Sequence, residues 1–326
     1  MLPVTENARA FWIAEPGRGE IRSEALPTPS ERDVVVHAMF SGISRGTEAL
    51  VFQGRVPPSE FSRMRAPFQA GEFPAPVKYG YASVGEIESG PPELRRRRAF
   101  VLYPHQTRYV VSADAVHVLP SEVPPQRAVL AANMETALNG VWDAAIKPGD
   151  RVVVIGGGTV GCLAAWLAAK IPGCAVDLVD INPKRADVAR ALGVGFSGPM
   201  VAGDEADVVI HASGSPDGLA LALLVAGFES TVVELSWYGD RNIPIALGGS
   251  FHARRLTLKS SQVGHVARSQ RPRWDTRRRM ALALSLLAHD ELDVLITGES
   301  AFDDLPQTMA ALAAGAGDAI CHRVRY

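Results

Sequence analysis

The pattern of apolar and polar positions changes near residue 120 of the chain. Before that point, short β-branched runs alternate with proline-rich connections. Residues 32–39 form one such run, and residues 100–111 contain two short apolar stretches around Pro104. Runs of this kind predict strands, because β-branched side chains pack well on a pleated surface. The first third is therefore predicted to be a β-rich domain with irregular loops.

From residue 147 onward, strand-like and helix-like segments alternate. Residues 151–155 (RVVVI) are continuously apolar, as in a strand of a parallel sheet that is covered on both faces. Further strands are predicted at residues 175–179, 206–210, 231–235, 256–259, 294–296 and 319–324. Helices are predicted at residues 124–145, 183–192 and 306–314, from Arg277 onward, and between residue 161 and Pro172. This alternation with short turns predicts a doubly wound α/β fold.

A glycine-rich loop lies between the first of these strands and the helix that follows it. The loop contains Gly156-x-Gly158-x-x-Gly161, so the pattern has the strand-turn-helix context that makes it specific. Gly156 permits a tight turn, Gly158 lets the backbone approach a pyrophosphate, and Gly161 allows close helix packing. Amides at the helix start, at Thr159 and Val160, suit phosphate oxygens. The loop therefore predicts a dinucleotide site.

Asp180 ends the second predicted strand, nineteen residues after Gly161. A carboxylate here accepts hydrogen bonds from a ribose 2′-hydroxyl and repels a 2′-phosphate, so it favours NAD over NADP. Lys184 and Arg185 follow closely and either offset this repulsion in part or form the exposed start of a helix. The predicted cofactor is NAD, with NADP as the second choice.

Composition limits the classes of protein that remain. With 326 residues the chain exceeds the size at which a single core stops growing, and its formal net charge of −2 argues against general attraction to nucleic acid or anionic membranes. No apolar run approaches the ~18 residues of a membrane span, and no secretory signal is visible. The three cysteines form no C-x-x-C pair, and three are too few for a Cys₄ zinc site within the chain. We expect a reduced, cytoplasmic protein.

The segments AAIKPGDRVVVIGGGTVG, LVDINPKRADVARALG and YGYASVGEI resemble, in order, segments of the medium-chain dehydrogenase/reductase superfamily, the alcohol dehydrogenase-like proteins. The resemblance covers nearly the whole chain. It implies a GroES-like β-barrel catalytic domain at residues 1–123 and a Rossmann NAD-binding domain at 124–265. Residues 266–326 would then return to the catalytic domain. It also implies a homodimer that acts on a small-molecule substrate.

The chain departs from the zinc-dependent members of this superfamily at two ligand positions. Ser44, in GISRGTE, stands where a cysteine ligand is expected, and Tyr81 with Ala82 replaces the histidine and glutamate of the second motif. The cysteine-rich lobe that holds structural zinc has no counterpart. A hydroxyl and a phenol cannot replace thiolate and imidazole as zinc ligands at neutral pH. We therefore expect neither catalytic nor structural zinc.

Hydride transfer without zinc needs another group to polarise the substrate oxygen and exchange its proton. Tyr81 is the first candidate, because its phenol stands at a former ligand position. Thr47 resembles the proton-relay hydroxyl of the superfamily, or else stabilises a turn. Glu135 falls where related polyol dehydrogenases carry a glutamate near the metal, and it is either a base or a helix-start carboxylate.

The resemblance also implies cofactor contacts outside the glycine loop. Arg45 resembles an arginine that contacts cofactor phosphate in some members. Ser213 follows the strand that ends under the cofactor, and Ser236 and Trp237 lie where the superfamily backbone meets the nicotinamide amide. His105 is predicted to be a structural histidine.

The resulting prediction is a zinc-independent, NAD(H)-dependent oxidoreductase that interconverts a secondary alcohol and a ketone. One alternative is an NAD(P)H-dependent reductase of carbon–carbon double bonds, of the quinone or enoyl type. Another is a non-catalytic dinucleotide-binding sensor. The stretch SGISRGTE is also similar to the bacteriochlorophyllide hydroxyethyl dehydrogenases, but it is too short to assign a tetrapyrrole substrate.

Overall fold

A computed structural model describes residues 7–326 of the chain. The strands are β1 (Asn7–Glu15), β2 (Arg18–Ala25), β3 (Asp33–Ile43), β4 (Ala70–Gly71), β5 (Val77–Lys78), β6 (Ser83–Ser89), β7 (Arg98–Val101), β8 (Arg108–Ser112), β9 (His117–Val118), β10 (Arg151–Ile155), β11 (Ala175–Val179), β12 (Gly195–Ser197), β13 (Ala206–His211), β14 (Ala226–Glu234), β15 (Thr257–Ser260), β16 (Ile296–Ala301) and β17 (Cys321–Arg325). The helices are α1 (Arg45–Phe52), α2 (Pro125–Ala128), α3 (Ala131–Ala144), α4 (Thr159–Ala169), α5 (Arg185–Ala191), α6 (Pro216–Val225), α7 (Thr276–Leu286) and α8 (Leu305–Ala313).

The chain divides into two compact units. Within the described residues, unit 1 comprises 7–132, Leu284–Ala288 and Ile296–Tyr326, and unit 2 comprises Asn133–Ala283 and His289–Leu295. The predicted domain limits lie at 123/124 and 265/266, whereas the first boundary between the units follows Ala132. No helix within 7–326 is both long and apolar enough to cross a membrane.

Unit 1 is built on two β-sheets. A four-stranded sheet has the order β2-β1-β5-β4, and a larger sheet runs β16-β17-β3-β6-β7-β9, with β8 also paired to β3. The long strand β3 pairs antiparallel with β6, β8 and β17. Its inward side chains, including Val34, Val36 and Ala38, join a buried cluster. The C-terminal strand β17 therefore completes a sheet begun near the start of the chain.

Unit 2 contains one parallel six-stranded sheet in the order β12-β11-β10-β13-β14-β15. In chain order along the sheet this is 3-2-1-4-5-6, the arrangement of a dinucleotide-binding Rossmann fold. Residues Val152, Val153, Val154 and Ile155 of β10 are all buried, as expected for a strand covered on both faces. The predicted fold class, α/β with Rossmann and GroES-like parts, is confirmed.

Several predicted elements have shifted limits. Strand β14 begins at Ala226, five residues before the predicted start, and β16 begins at Ile296, where the predicted strand ends. The preceding segment, Asp290–Leu295, is a 3₁₀ helix, because three acidic residues at its start favour a helical turn over a strand. The sequence pattern did not predict strands β1 and β2, although β1 contains an apolar run at residues 10–14.

Candidate functional site

The glycine loop of unit 2 has the geometry that the sequence predicts. Gly156 has a φ of +110°, and a Cβ on it would lie 2.6 Å from the Ser213 backbone nitrogen. A Cβ on Gly161 would lie 1.8 Å from the Gly156 carbonyl oxygen, so α4 packs tightly onto the loop. A Cβ on Gly158 would meet nothing within 4 Å, and this residue is exposed. The open backbone at Gly158, just before Thr159 and Val160, fits a pyrophosphate.

The Asp180 side chain lies against this loop. Its Oδ2 accepts a hydrogen bond of 2.6 Å from the Gly157 amide, and its Oδ1 accepts one of 2.8 Å from the Asn182 amide. Each carboxylate oxygen keeps a lone pair after these bonds. The half-buried carboxylate can therefore still accept hydrogen bonds from a sugar. Together the loop and Asp180 fit an NAD-type dinucleotide.

A histidine network lies at the carboxyl ends of β13 and β14. His211 and Glu234 are the last residues of these adjacent parallel strands and are direct partners in the register. His211 Nδ1 lies 2.7 Å from Glu234 Oε2, and His211 Nε2 lies 2.6 Å from Ser213 Oγ. The imidazole is fully buried, whereas Ser213 is exposed. The network therefore ends on the surface of unit 2.

Residues that follow β14 donate further hydrogen bonds to the Glu234 carboxylate. The Ser236 amide donates to Oε1 at 2.7 Å, and the Tyr238 hydroxyl donates to Oε2 at 3.0 Å. The Ser236 hydroxyl accepts a hydrogen bond from the Gly214 amide. Trp237 lies between these two residues and is half-buried. Ser213, Ser236 and Trp237, all predicted as cofactor contacts, therefore cluster at one sheet edge.

In unit 1, Tyr81 lies in a cluster of hydroxyl groups. The side chains of Ser44 and Thr47 lie close to its phenol. Burial, supported by the nearby Glu48 carboxylate, raises the pKa of Tyr81 well above its usual value, while the two hydroxyl contacts oppose this shift. The phenol therefore stays protonated at neutral pH and can donate. The structure brings together two of the predicted catalytic residues, Tyr81 and Thr47.

A second histidine network lies near this cluster, and its central residues Ser41, Glu48 and His105 are buried. His105 Nε2 lies 2.8 Å from Glu48 Oε2, and His105 Nδ1 lies 2.7 Å from Ser41 Oγ. The Ser41 hydroxyl also contacts the Tyr326 hydroxyl at 2.9 Å. Glu48 Oε1 accepts a hydrogen bond from the Ser44 amide at the start of α1. This network fixes the position of Ser44, and through it the hydroxyl cluster.

The donor set around Ser44 and Tyr81 does not fit zinc. Both residues offer neutral hydroxyl oxygens, and the Glu48 carboxylate is already bonded to His105 and to a backbone amide. Zinc sites in proteins use thiolate, imidazole and carboxylate ligands. Within 7–326, no three histidine, cysteine, aspartate or glutamate side chains are placed to share a metal ion.

Glu135 and Arg45 each have a partner within their own unit. Glu135 lies in unit 2, where Arg279 Nε donates to its Oε1 at 3.0 Å and both side chains are buried. Burial raises its pKa, and Arg279 opposes the shift. These contacts favour the structural alternative for Glu135. Arg45, in unit 1, donates to the Ala319 carbonyl at 3.4 Å.

The sequence prediction missed His211, Glu234 and Glu48. A signal existed for the first two, because each is a polar residue that ends a buried parallel strand, and such strand ends share one sheet edge. For Glu48 and His105 no local signal was available, since they are 57 residues apart in the chain.

Comparisons with curated proteins find dehydrogenases. The chain is 29% identical over 154 residues to D-guloside 3-dehydrogenase of Escherichia coli, covering 44% of each chain. It is 29% identical over 228 residues to a D-xylulose reductase A of Arthroderma otae, covering 64% of this chain and 60% of that protein. An uncharacterized zinc-type alcohol dehydrogenase-like protein of Haemophilus influenzae is 30% identical over 131 residues, covering 36% of this chain and 38% of that protein. The chain thus spans less than two thirds of these relatives. No family model matches it.

Solved structures share the fold over 98% of the chain. L-Idonate 5-dehydrogenase of Escherichia coli has a TM-score of 0.79 at 14% identity and is covered over 99% of its length. A structure from Sinorhizobium meliloti, described as a zinc-binding dehydrogenase, is bound to NADP, with a TM-score of 0.76, 18% identity and full coverage. An alcohol dehydrogenase of Escherichia coli CFT073 is complexed with NADH, with a TM-score of 0.77, 15% identity and 99% coverage.

The solved structures show that the chain has the fold of these dehydrogenases, with a GroES-like unit and a Rossmann unit. By sequence the chain is similar to alcohol and polyol dehydrogenases over part of its length. The resemblance predicted from the sequence is confirmed at this level. The absence of zinc stays a prediction.

Proposed function

We propose that the protein is an NAD(H)-dependent oxidoreductase that interconverts a secondary alcohol and a ketone without zinc. The glycine loop carries this proposal, because its open backbone at Gly158 and the tight packing of Gly161 suit a dinucleotide pyrophosphate. The names of the relatives, which act on sugars and polyols, support an alcohol as the substrate. The small-molecule substrate itself and the homodimer stay predictions.

The proposal prefers NAD to NADP. The Asp180 carboxylate lies against the loop at the end of β11, where it would accept hydrogen bonds from a ribose 2′-hydroxyl. A 2′-phosphate would meet this negative charge. One relative in structure is bound to NADP and another to NADH, so the fold is compatible with either cofactor and the residue at this position decides between them.

Tyr81 would handle the proton. A bound nicotinamide supplies or accepts the hydride. In the direction of ketone reduction the protonated phenol would donate its hydrogen to the carbonyl oxygen and regain one from Thr47. In the other direction it would take the proton of the alcohol while its own hydrogen passes to Thr47. Thr47, whose side chain lies close to the phenol, would orient it and pass the hydrogen on. Glu135 has no role in this scheme, because Arg279 holds it.

Independence from zinc is the part of the proposal that separates this chain from its zinc-type relative. It is supported by the identity of Ser44, Tyr81 and Ala82 and by the engagement of the Glu48 carboxylate. Metal analysis of the purified protein should find less than stoichiometric zinc, and a chelator should leave turnover unchanged. Stoichiometric zinc that is needed for turnover would overturn this part alone.

The catalytic part is tested with a panel of secondary alcohols, ketones and enones, assayed with NAD(H) and NADP(H). The double variant Tyr81→Phe, Thr47→Val should lower kcat by about a hundredfold or more, the usual contribution of a general acid. Tyr103→Phe is the matched control, because this phenol stacks on Tyr109 in the same unit. Full turnover by the double variant would disprove the assignment, and turnover of enones alone would favour a reductase of double bonds.

A further inference from the structure

The exposed Ser213 hydroxyl is hydrogen-bonded to a buried histidine, His211, whose role the proposed reaction does not explain. Ser213 lies beside the glycine loop, at the carboxyl edge of the sheet, where parallel α/β sheets bind ligands. Its Oγ is 2.6 Å from His211 Nε2, and the ring continues to Glu234 through Nδ1. Whether this hydroxyl donates or accepts therefore depends on whether His211 Nε2 carries a hydrogen.

The Glu234 carboxylate determines which ring nitrogen carries the proton. A carboxylate only accepts hydrogen bonds, and Glu234 already accepts from the Ser236 amide and the Tyr238 hydroxyl. At 2.7 Å, His211 Nδ1 must therefore carry the hydrogen that lies between them. Two further oxygens lie at 3.4 and 3.5 Å from Nδ1 and compete weakly. In the neutral ring, Nε2 is then a bare acceptor.

It follows that Ser213 donates its only hydrogen inward, to His211 Nε2. Its oxygen also accepts a hydrogen bond of 3.2 Å from the Ser215 amide. One lone pair remains, and it is the only group that the hydroxyl can offer to a ligand. Gly218 preserves this arrangement, since a Cβ there would lie 2.2 Å from Ser213 Oγ and 2.7 Å from His211 Nε2.

We propose that Glu234 and His211 are positioning residues that act through Ser213 and make its hydroxyl an obligate hydrogen-bond acceptor. The position then selects a ligand group that carries an O–H or N–H donor and disfavours an anionic oxygen. This inference rests on the proposed function, because the ligand meant is the dinucleotide. The donor is either a ribose hydroxyl or the nicotinamide carboxamide, and both share the same chemistry.

The isosteric variant Glu234→Gln reverses the polarity of the network. Its amide nitrogen can donate to His211 Nδ1, so the ring proton moves to Nε2 and the Ser213 hydroxyl is released to donate outward. Nitrogen-15 NMR of the histidine rings reads this directly, with His211→Gln to assign the signal. We expect a protonated Nδ1 in the wild type and a protonated Nε2 in Glu234→Gln. A protonated Nε2 in the wild type at neutral pH would overturn the proposal without any ligand.

Calorimetric binding of NAD⁺ tests the consequence. Ser213→Ala should weaken binding about tenfold, as expected for one lost hydrogen bond. Introduced alone, Glu234→Gln should weaken NAD⁺ binding to a similar degree. Added to Ser213→Ala it should have no further effect, because Glu234 acts through the Ser213 hydroxyl. Ser230→Ala is the matched control, since this hydroxyl on β14 bonds to the Asp207 carbonyl and should change nothing.

ADP-ribose, which lacks the carboxamide, separates the two donors. If a ribose hydroxyl is the donor, Ser213→Ala weakens ADP-ribose as much as NAD⁺. If the carboxamide is the donor, only NAD⁺ is affected. Unchanged NAD⁺ affinity in Ser213→Ala, or equal losses from Glu234→Gln with and without Ser213, would overturn this inference and leave the proposed function standing. A wild type that binds no dinucleotide would overturn both.

Discussion

Each unit of the molecule holds a histidine between a carboxylate and a serine hydroxyl. In unit 1 these are Ser41, His105 and Glu48, and in unit 2 they are Ser213, His211 and Glu234, with contact distances of 2.6–2.8 Å in both. Ser41 is fully buried, whereas Ser213 is exposed. The same three groups can therefore serve two purposes: a closed network holds the fold, and one that ends in an exposed hydroxyl presents that hydroxyl to a ligand.

The two networks also differ in how the chain assembles them. The His211 and Glu234 pair follows from the register of two neighbouring strands, so local sheet formation places both groups. The His105 and Glu48 pair joins a loop to the first turn of α1. Loss of the His105–Glu48 pair should therefore disturb the fold of unit 1, whereas loss of the His211–Glu234 pair should chiefly affect binding. Four predictions follow from this contrast, in order of decreasing effect.

Glu48→Ala should cause the largest loss of stability. It leaves the His105 ring and the Ser44 amide without their acceptor in a buried place, and each unsatisfied buried group costs about 1–3 kcal/mol. We expect the free energy of unfolding to fall by about 3 kcal/mol in urea titrations. Glu234→Ala should cost less, since water can reach its network, and the exposed Glu86→Ala is the control. Equal losses of stability in Glu48→Ala and Glu234→Ala would contradict the distinction between a structural and a ligand-binding network.

Two glycine substitutions should separate stability from binding. Gly80 has a φ of +131°, and a Cβ on it would lie 3.0 Å from the His105 ring, so Gly80→Ala should cost about 1–3 kcal/mol through backbone strain. Gly218→Ala should instead displace the Ser213 hydroxyl, which lowers dinucleotide affinity with a smaller change in unfolding. Thermal unfolding and NAD⁺ calorimetry of both variants check this. The reverse pattern would contradict the assigned roles.

Removal of a single tyrosine hydroxyl should lower the free energy of unfolding by less than the substitutions above. Tyr326→Phe deletes the hydroxyl that contacts Ser41 in the buried network, and it should lower the unfolding free energy by about 1 kcal/mol. Tyr238→Phe deletes a donor to the partly exposed Glu234 and should change it less. Urea titration of both variants is the measurement, and a larger loss from Tyr238→Phe would refute the prediction.

Acid should affect unit 1 at milder pH than unit 2. Burial lowers the pKa of His322 below its usual 6.5, so its neutral form stabilises the fold above pH 6.5 and this contribution is lost as pH falls below that value. In unit 2, a hydrogen bond from its own backbone, with help from Lys170, lowers the pKa of Glu291 to about 2. Its contribution is therefore lost only between about pH 4.5 and 2. The free energy of unfolding should be measured against pH. Its decline below pH 6.5 should be absent in His322→Gln, and its decline between about pH 4.5 and 2 should be absent in Glu291→Gln.

The sequence predicted unit 2 well because its signals are local. A continuous apolar strand, a glycine loop and a terminal Asp180 are adjacent in the chain, and parallel strands with short turns leave few topologies. Predicted strands at residues 151–155 and 175–179 match β10 and β11 at both ends. The predicted resemblance to dehydrogenases followed from the same segments and is confirmed.

The sequence predicted the site in unit 1 only in part. Tyr81 and Thr47 were identified by resemblance, and the structure places their side chains close together. The buried His105 was expected to be structural, but its partner Glu48 could not be inferred, because a tertiary contact across 57 residues leaves no periodic pattern. Glu135 could not be placed for the same reason, since its partner Arg279 is 144 residues away.

The pairing of β17 with β3 has a consequence for the order in which the chain folds during synthesis. Strands β16 and β17 belong to the sheet of unit 1, yet they are made after the whole parallel sheet of unit 2. The edge of β3 that β17 covers is therefore unpaired while unit 2 emerges from the ribosome. An unpaired edge is open to wrong partners. Completion of unit 1 must therefore wait until β17 has been synthesised, and chains that stall before it should aggregate through β3.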